Sequence, residues 1–230
     1  MTYSWDFSQV IQYFPAILRG FAIAALVTKL SGIFGIVLAV GIVVLLQSPN
    51  TLIRGATHAI ATFVRAVPLL ISLVFVFYFL PVATGLRFSP FWVAVFVLSM
   101  NFAAFASDIL RGGLRAIPAH HVDISLAIGH SRASLLRHVL IPETFRRSFA
   151  AVSNLIINQL KAVSVASVIG LPETLRTADL LIASQSGANP LELYLSVALL
   201  YAIVVLFLSI VLRRCEQSQW IALEPVTKHD

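Results

Sequence analysis

Five stretches of this chain are apolar for long enough to cross a bilayer, and the segments between them are more polar. A helix rises 1.5 Å per residue, so roughly 20 apolar residues span the hydrocarbon. The stretches are Gly20 to Leu46, interrupted by Lys29; Ala66 to Leu86; Phe88 to Leu110, with Asp108 near its end; Phe149 to Leu171, carrying Lys161; and Leu193 to Leu212, with no charge. A turn bearing prolines, near Pro81 to Pro90, joins the second and third. Backbone groups in lipid cannot turn to water, so each stretch is predicted to be a helix. The pattern predicts an all-α integral membrane protein with five transmembrane helices.

Residues 1–19 precede the first span and carry Trp5, Phe7, Tyr13 and Phe14, which suit a short interfacial helix because aromatic rings favour the headgroup level. They lack the basic start of a cleavable signal peptide, so the segment is expected to be retained. No internal repeat or long linker divides the chain. Residues 20–214 are expected to form one membrane domain, and 215–230 a cytoplasmic tail.

Charge gives the expected orientation. Placing the C-terminus inside puts Arg54, Arg65, Arg111, Arg115, Arg132, Arg137, Arg146, Arg147, Arg213, Arg214 and Lys228 in the cytoplasm, against Arg19, Arg87 and Arg176 outside. Cytoplasmic loops carry the Lys/Arg excess, so the N-terminus is expected outside.

Composition agrees with a protein whose solvent is partly lipid: 59% of the 230 residues are hydrophobic and 11% charged. The net charge of +6 is not arranged for nucleic acid, since basic residues form no run and do not interleave with aromatics. The single cysteine, Cys215, excludes an internal disulfide and a thiolate cluster. His58, His120, His121, His130, His138 and His229 show no H-E-x-x-H spacing and are expected in loops or tails, so no metal site is predicted.

One segment breaks the apolar pattern. HVDISLAIGHSRASLLRHVLIP, His121 to Pro142, is basic and lies in the expected cytoplasmic loop of about residues 117–142. Asp123 suits a helix N-terminus, Leu126 and Ala127 are good helix formers, and Gly129 can take the left-handed conformation that ends a helix. A second helical run, Ala133 to Leu140, is expected to stop before Pro142. The pattern alone fits a cap on the bundle or a docking knob for another subunit. Apolar Val122, Leu126 and Ile128 favour docking.

This segment resembles the EAA loop of bacterial ABC-importer permeases, with Asp123-Ile124-Ser125, three residues, Gly129 and then Pro142. Three flanking stretches resemble the polar amino-acid permease family in the same order: FVRAVPLLISLVFVFYFLP, SMNFAAFASDILRGGLRAIP and SNLIINQLKAVSVASVIGLPETL. Together they cover about Arg65 to Leu175. The resemblance implies a type I ABC-importer permease fold. It implies pairing with a second permease, identical or similar, a cytoplasmic ABC ATPase dimer that receives the loop, and an extracytoplasmic solute-binding protein. The segment would be the coupling helix, with Asp123, Leu126, Ala127, Gly129, Arg132 and Pro142 at the ATPase contact. The chain has no G-x-x-x-x-G-K-[ST] loop. ATP and Mg are therefore expected on the partner ATPase, with no cofactor bound by this chain and no covalent chemistry done by it. The implied location is the bacterial inner membrane, in contact with lipid.

The chain departs from the family pattern at several points. The family glutamate is Asp123, its two alanines are Ile124 and Ser125, and P-Q-A is Pro142-Glu143-Thr144. K-D-T-S-L has become Lys161-Ala162-Val163-Ser164-Val165, which loses a carboxylate that could complement a cationic side chain. A basic amino acid is thereby disfavoured through this subunit alone.

An ionisable group within a span costs about 2.5–3.5 kcal/mol, so it is expected to face the bundle interior or water. Asn154, Asn158 and Lys161 fall at i, i+4 and i+7, one helical face, with Ser164 nearby. Asn101 and Asp108 form a similar pair on the third span. The two faces are expected to line one solute path, with Lys161 attracting a carboxylate. The structural alternative is Asp108 paired with Arg111 and the asparagines joining helices. Lys29 is expected to snorkel to the interface. The rival functions are a stand-alone channel or secondary carrier that uses Asp108 and Lys161 without an ATPase, and a non-transport membrane scaffold.

Overall fold

Long apolar runs set the helices, and prolines, glycines and polar caps set where they bend or stop. The computed structural model describes residues 5–129, 131–184 and 189–217, and no strand occurs among them. In chain order the helices are α1 (Ser8–Leu46), α2 (Thr51–Ala66), α3 (Leu69–Val74), α4 (Leu80–Thr84), α5 (Pro90–Arg115), α6 (Ala119–Ala127), α7 (Arg132–Leu135), α8 (Ile141–Ala162), α9 (Thr174–Ser184) and α10 (Pro190–Glu216). Wide π turns at Phe75–Phe79 and Leu136–Leu140 join α3 to α4 and α7 to α8, and a 3-10 turn at Val163–Ile169 continues α8.

α1, α5, the run Arg132–Ile169 and α10 are long and apolar enough to cross a membrane. The bent pair Thr51–Ala66 and Leu69–Thr84, counted as one span, makes the total five. The second span is therefore not the straight helix expected from Ala66 to Leu86. Val67 and Pro68 interrupt it at a bend of 102°. Its first half, α2, escaped the hydropathy reading because its apolar residues recur with helical spacing between polar ones. Asn50 starts it, the side-chain oxygen accepting from the Leu52 and Ile53 amides at 2.9 and 3.4 Å.

Two other boundaries differ. α1 already begins at Ser8 and continues through Pro15, so residues 8–19 are one helix with the first apolar stretch, packing Val10 and Ile17 against Ala178, Leu193 and Val197. The run Ala133 to Leu140 does not stop before Pro142 but flows into the fourth span. A proline lacks an N–H and crowds the carbonyl four residues earlier. That carbonyl, on His138, sits in the π turn, whose wider ring accommodates the proline. The same device precedes Pro81, whose i−4 residue Phe77 lies in the other π turn.

α1 and α5 form the centre. Ala24, Val27, Leu73, Leu98, Val163 and Ile169 pack one end of it, and Ala39, Phe102, Ala103 and Leu110 the other. α8 docks on α5 where Gly113 lies against Thr144 and Ser148, too closely for a side chain. That leaves a polar face of α8 and nearly all of α10 open in the single chain.

Candidate solute path and coupling face

Lys161 ends the regular part of α8. Its carbonyl accepts a hydrogen bond from the Ser164 hydroxyl at 2.7 Å as the helix tightens into the 3-10 turn. Asn154, Asn158 and Lys161 are all exposed in the single chain, and Lys161 makes no ion pair with another described residue. The i, i+4, i+7 spacing does place them on one face. Asn154 lines a cavity of about 640 Å³ between α8 and α10, together with Arg146, Arg147 and Arg213.

The third-span pair sits elsewhere. Asn101 lines an apolar cavity of about 420 Å³ with Phe63, Ile71 and Phe75. In this single chain it does not share a cavity with Asn154. Asp108 contacts Arg65 at 3.0 Å and Arg111 at 3.9 Å. Arg65 also donates to the Ala104 carbonyl at 3.0 Å and the Thr62 hydroxyl at 3.1 Å, pinning the end of α2 to α5. The expected Asp108–Arg111 pair is thus the longer of two contacts. Arg65 is far away in sequence and escaped a reading based on local spacing.

The polar glue between helices also comes from an unexpected residue. Gln159, beside Asn158, is buried and donates to the Ser31 hydroxyl and the Leu98 carbonyl, both at 3.0 Å, joining α8 to α1 and α5. Lys29 is exposed on α1 and lines a cavity with Phe21, Phe102, Leu160 and Val204.

At the far end of the fourth span Glu173 is fully buried and caps α9, its oxygens accepting from the Leu175 and Arg176 amides at 2.9 and 2.8 Å and from the Tyr201 hydroxyl at 3.3 Å. Burial pushes its carboxyl above the ordinary value, against the two amides that pull it down.

The residues expected at the ATPase contact lie on an exposed segment. α6 begins at Ala119, after Pro118, so Asp123 sits within the helix and does not start it; proline's fixed backbone already supplies the start. Ser125 is buried and donates to the His121 carbonyl at 2.7 Å. Ile124, Leu126 and Ile128 are exposed, and so are Asp123, Ala127, Gly129, Arg132 and Pro142. Gly129 has φ of +90°, the left-handed conformation expected of it. Ser131 then caps α7, accepting from the Ser134 amide at 3.2 Å.

The histidines correct a further expectation: His58 lies in α2, His120 and His121 in α6, and His138 in a π turn, not in loops. His130, His229 and Lys228 lie outside the described residues, as does most of the tail. No group of three or more potential metal ligands occurs among the described residues.

Residues 31–220 match the family described as the binding-protein-dependent transport system inner membrane component. The chain belongs to this family. It is a multi-pass component of the inner membrane and a subunit of a transporter. It is 33% identical over 218 residues to the arginine transport system permease protein ArtQ of Bacillus subtilis, covering 92% of this chain and 96% of that one. It is 34% identical over 166 residues to the glutamine permease GlnP of Escherichia coli K12, covering 70% and 75%. Its fold matches a chain of an amino acid ABC transporter solved with histidines, with a TM-score of 0.86, 24% identity and coverage of 93% and 99%. It also matches a chain of the inward-facing MetNI methionine transporter, with a TM-score of 0.75, 20% identity and coverage of 92% and 99%.

Proposed function

We propose that this chain is the permease subunit of an ATP-driven importer that carries a polar amino acid or a related small solute. The open polar stripe of α8, ending at Lys161, carries this reading. A free ammonium in lipid is costly, whereas on a water-filled path between two permeases it can hold a solute carboxylate. Asn154, Asn158 and Ser164 supply neutral hydrogen bonds beside it, and Asn101 and Asp108 are assigned to the neighbouring wall. Relatives named for arginine, glutamine, cystine and octopine support the amino-acid class without selecting one solute.

A second permease, identical or similar, closes the path, and an extracytoplasmic binding protein delivers the solute. Two cytoplasmic ATPases hold ATP and Mg and receive α6 with its exposed Ile124, Leu126 and Ile128. The Lys/Arg excess supports a cytoplasmic α6 and C-terminus and an external N-terminus. Gly129 turns the chain sharply enough for α6 to project.

The test is gentle solubilisation of native membranes through a C-terminal tag, with bound proteins identified by mass spectrometry. A P-loop ATPase in the complex is the expected result. A homo-oligomer without an ATPase, reproducible after crosslinking, would move the assignment to a channel or carrier. Gly129→Val forces a β-branched residue into a left-handed backbone, a strain of about 1–3 kcal/mol. It should uncouple ATP hydrolysis from uptake or release the ATPase, and a fully coupled variant would displace the contact from this turn.

A further inference from the structure

The polar face of α8 does not end at Asn154. Arg147 continues it toward the start of the helix, so Arg147, Asn154, Asn158 and Lys161 share one side. Across a cavity of about 640 Å³ from Arg147 and Asn154 stands Arg213, near the end of α10. Glu143 holds Arg147 at 2.6 Å and lies 3.8 Å from Arg146. Arg213 makes no ion pair with another described residue, and the cavity's own carboxylate is Glu216. Counting Glu143 and Glu216 against Arg146, Arg147 and Arg213 leaves one positive charge in excess.

We infer that this cavity is a second cationic station for the transported solute, with Arg213 taking the carboxylate after it leaves Lys161, and that the path therefore favours amino acids of zero or negative net charge. This rests on the reading of the chain as a solute permease. Arg147, at the far end of the cavity's α8 wall, lies about 21 Å from Lys161 along the helix. That exceeds the Debye length of about 8 Å at physiological salt, so each attracts its anion independently. The uncharged asparagines between them offer hydrogen bonds without a trap. Along this face of α8 Glu143 is held by Arg147, and the carboxylate across the cavity, Glu216, is outnumbered there by Arg146, Arg147 and Arg213.

Cys215, the chain's single cysteine, is exposed on α10 two residues from Arg213 and serves as a reporter. The assembled complex, with cysteine-free partner subunits, is labelled there with an environment-sensitive fluorophore and titrated without nucleotide with glutamate, glutamine and arginine. Glutamate should give a saturable signal at about tenfold lower concentration than arginine, with glutamine between them. Arg213→Gln should abolish that preference and Arg213→Lys should keep it. Equal responses to glutamate and arginine would overturn the station. So would an unchanged preference in Arg213→Gln, or a signal produced only by phosphatidylglycerol vesicles, which would make the cavity a lipid headgroup site. ATP-driven uptake by the same complex tests the permease reading separately, since a complex that transports but lacks the glutamate signal rejects the station alone.

Discussion

α8 and α10 stand side by side, and both are largely uncovered in the single chain, yet their open faces are chemically opposite. α10 is the most apolar span, with only 6% of its most apolar stretch buried, and it presents Leu199, Ile203, Leu206 and Phe207. α5, less apolar by mean hydropathy, is 67% buried. In water that order would be unfavourable, but lipid tails solvate α10 at no cost. α8 cannot be explained this way. Asn154, Asn158 and Lys161 are exposed where lipid would penalise them, and a central lysine alone costs about 2.5–3.5 kcal/mol. An open apolar face is finished by the bilayer, whereas an open polar face within a span marks where water, solute or a second subunit must be. Gln159 sharpens the contrast: one residue from Asn158, it is buried and satisfied, so its role is cohesion.

That contrast predicts separable phenotypes. The largest is at Lys161: Lys161→Ala should cut ATP-driven uptake about tenfold or more while the complex still assembles, because a charged hydrogen bond to solute is lost and no fold contact is. Unchanged uptake would remove Lys161 from the path. Gln159→Leu should do the reverse. It should cost about 1 kcal/mol, seen as a lower thermal midpoint in detergent, with uptake per assembled complex preserved. A transport defect without a stability defect would make Gln159 a path residue.

The smallest effect is at Glu173. Folding raises its carboxyl pKa, so the folded state binds that proton more tightly than the unfolded chain does. Stability is then greatest below the ordinary carboxylate range and falls as pH rises through the raised value. Thermal midpoints of the wild type should show this shallow decline, and Glu173→Gln should flatten it. A decline that survives the substitution would assign the slope to another group.

What the sequence made legible follows from the range of each interaction. Span count and the α8 stripe depend on hydropathy and helical spacing, both local, and both were readable. The Asp108–Arg65 contact is long-range, so spacing pointed to Arg111, the weaker partner. Nothing local distinguishes Gln159 from its neighbour Asn158, because which side is buried depends on α1 and α5. α2 and α9 were missed because neither is a continuous apolar run. Their starts, at Asn50 and Glu173, are capping signals that a search for spans passes over. Pro142 stops a helix by rule, and only the preceding π turn lets α8 run through it.

The claim that the α8 face is wetted while the α10 face meets lipid can be measured directly. With Cys215→Ser as background, single cysteines at Asn154, Asn158, Leu199 and Ile203 are exposed to a charged, membrane-impermeant thiol reagent in the assembled complex. A thiol reacts as thiolate, which forms where water reaches it, so Asn154→Cys and Asn158→Cys should react at least about tenfold faster than Leu199→Cys and Ile203→Cys. Equal rates, or faster labelling on α10, would contradict the account.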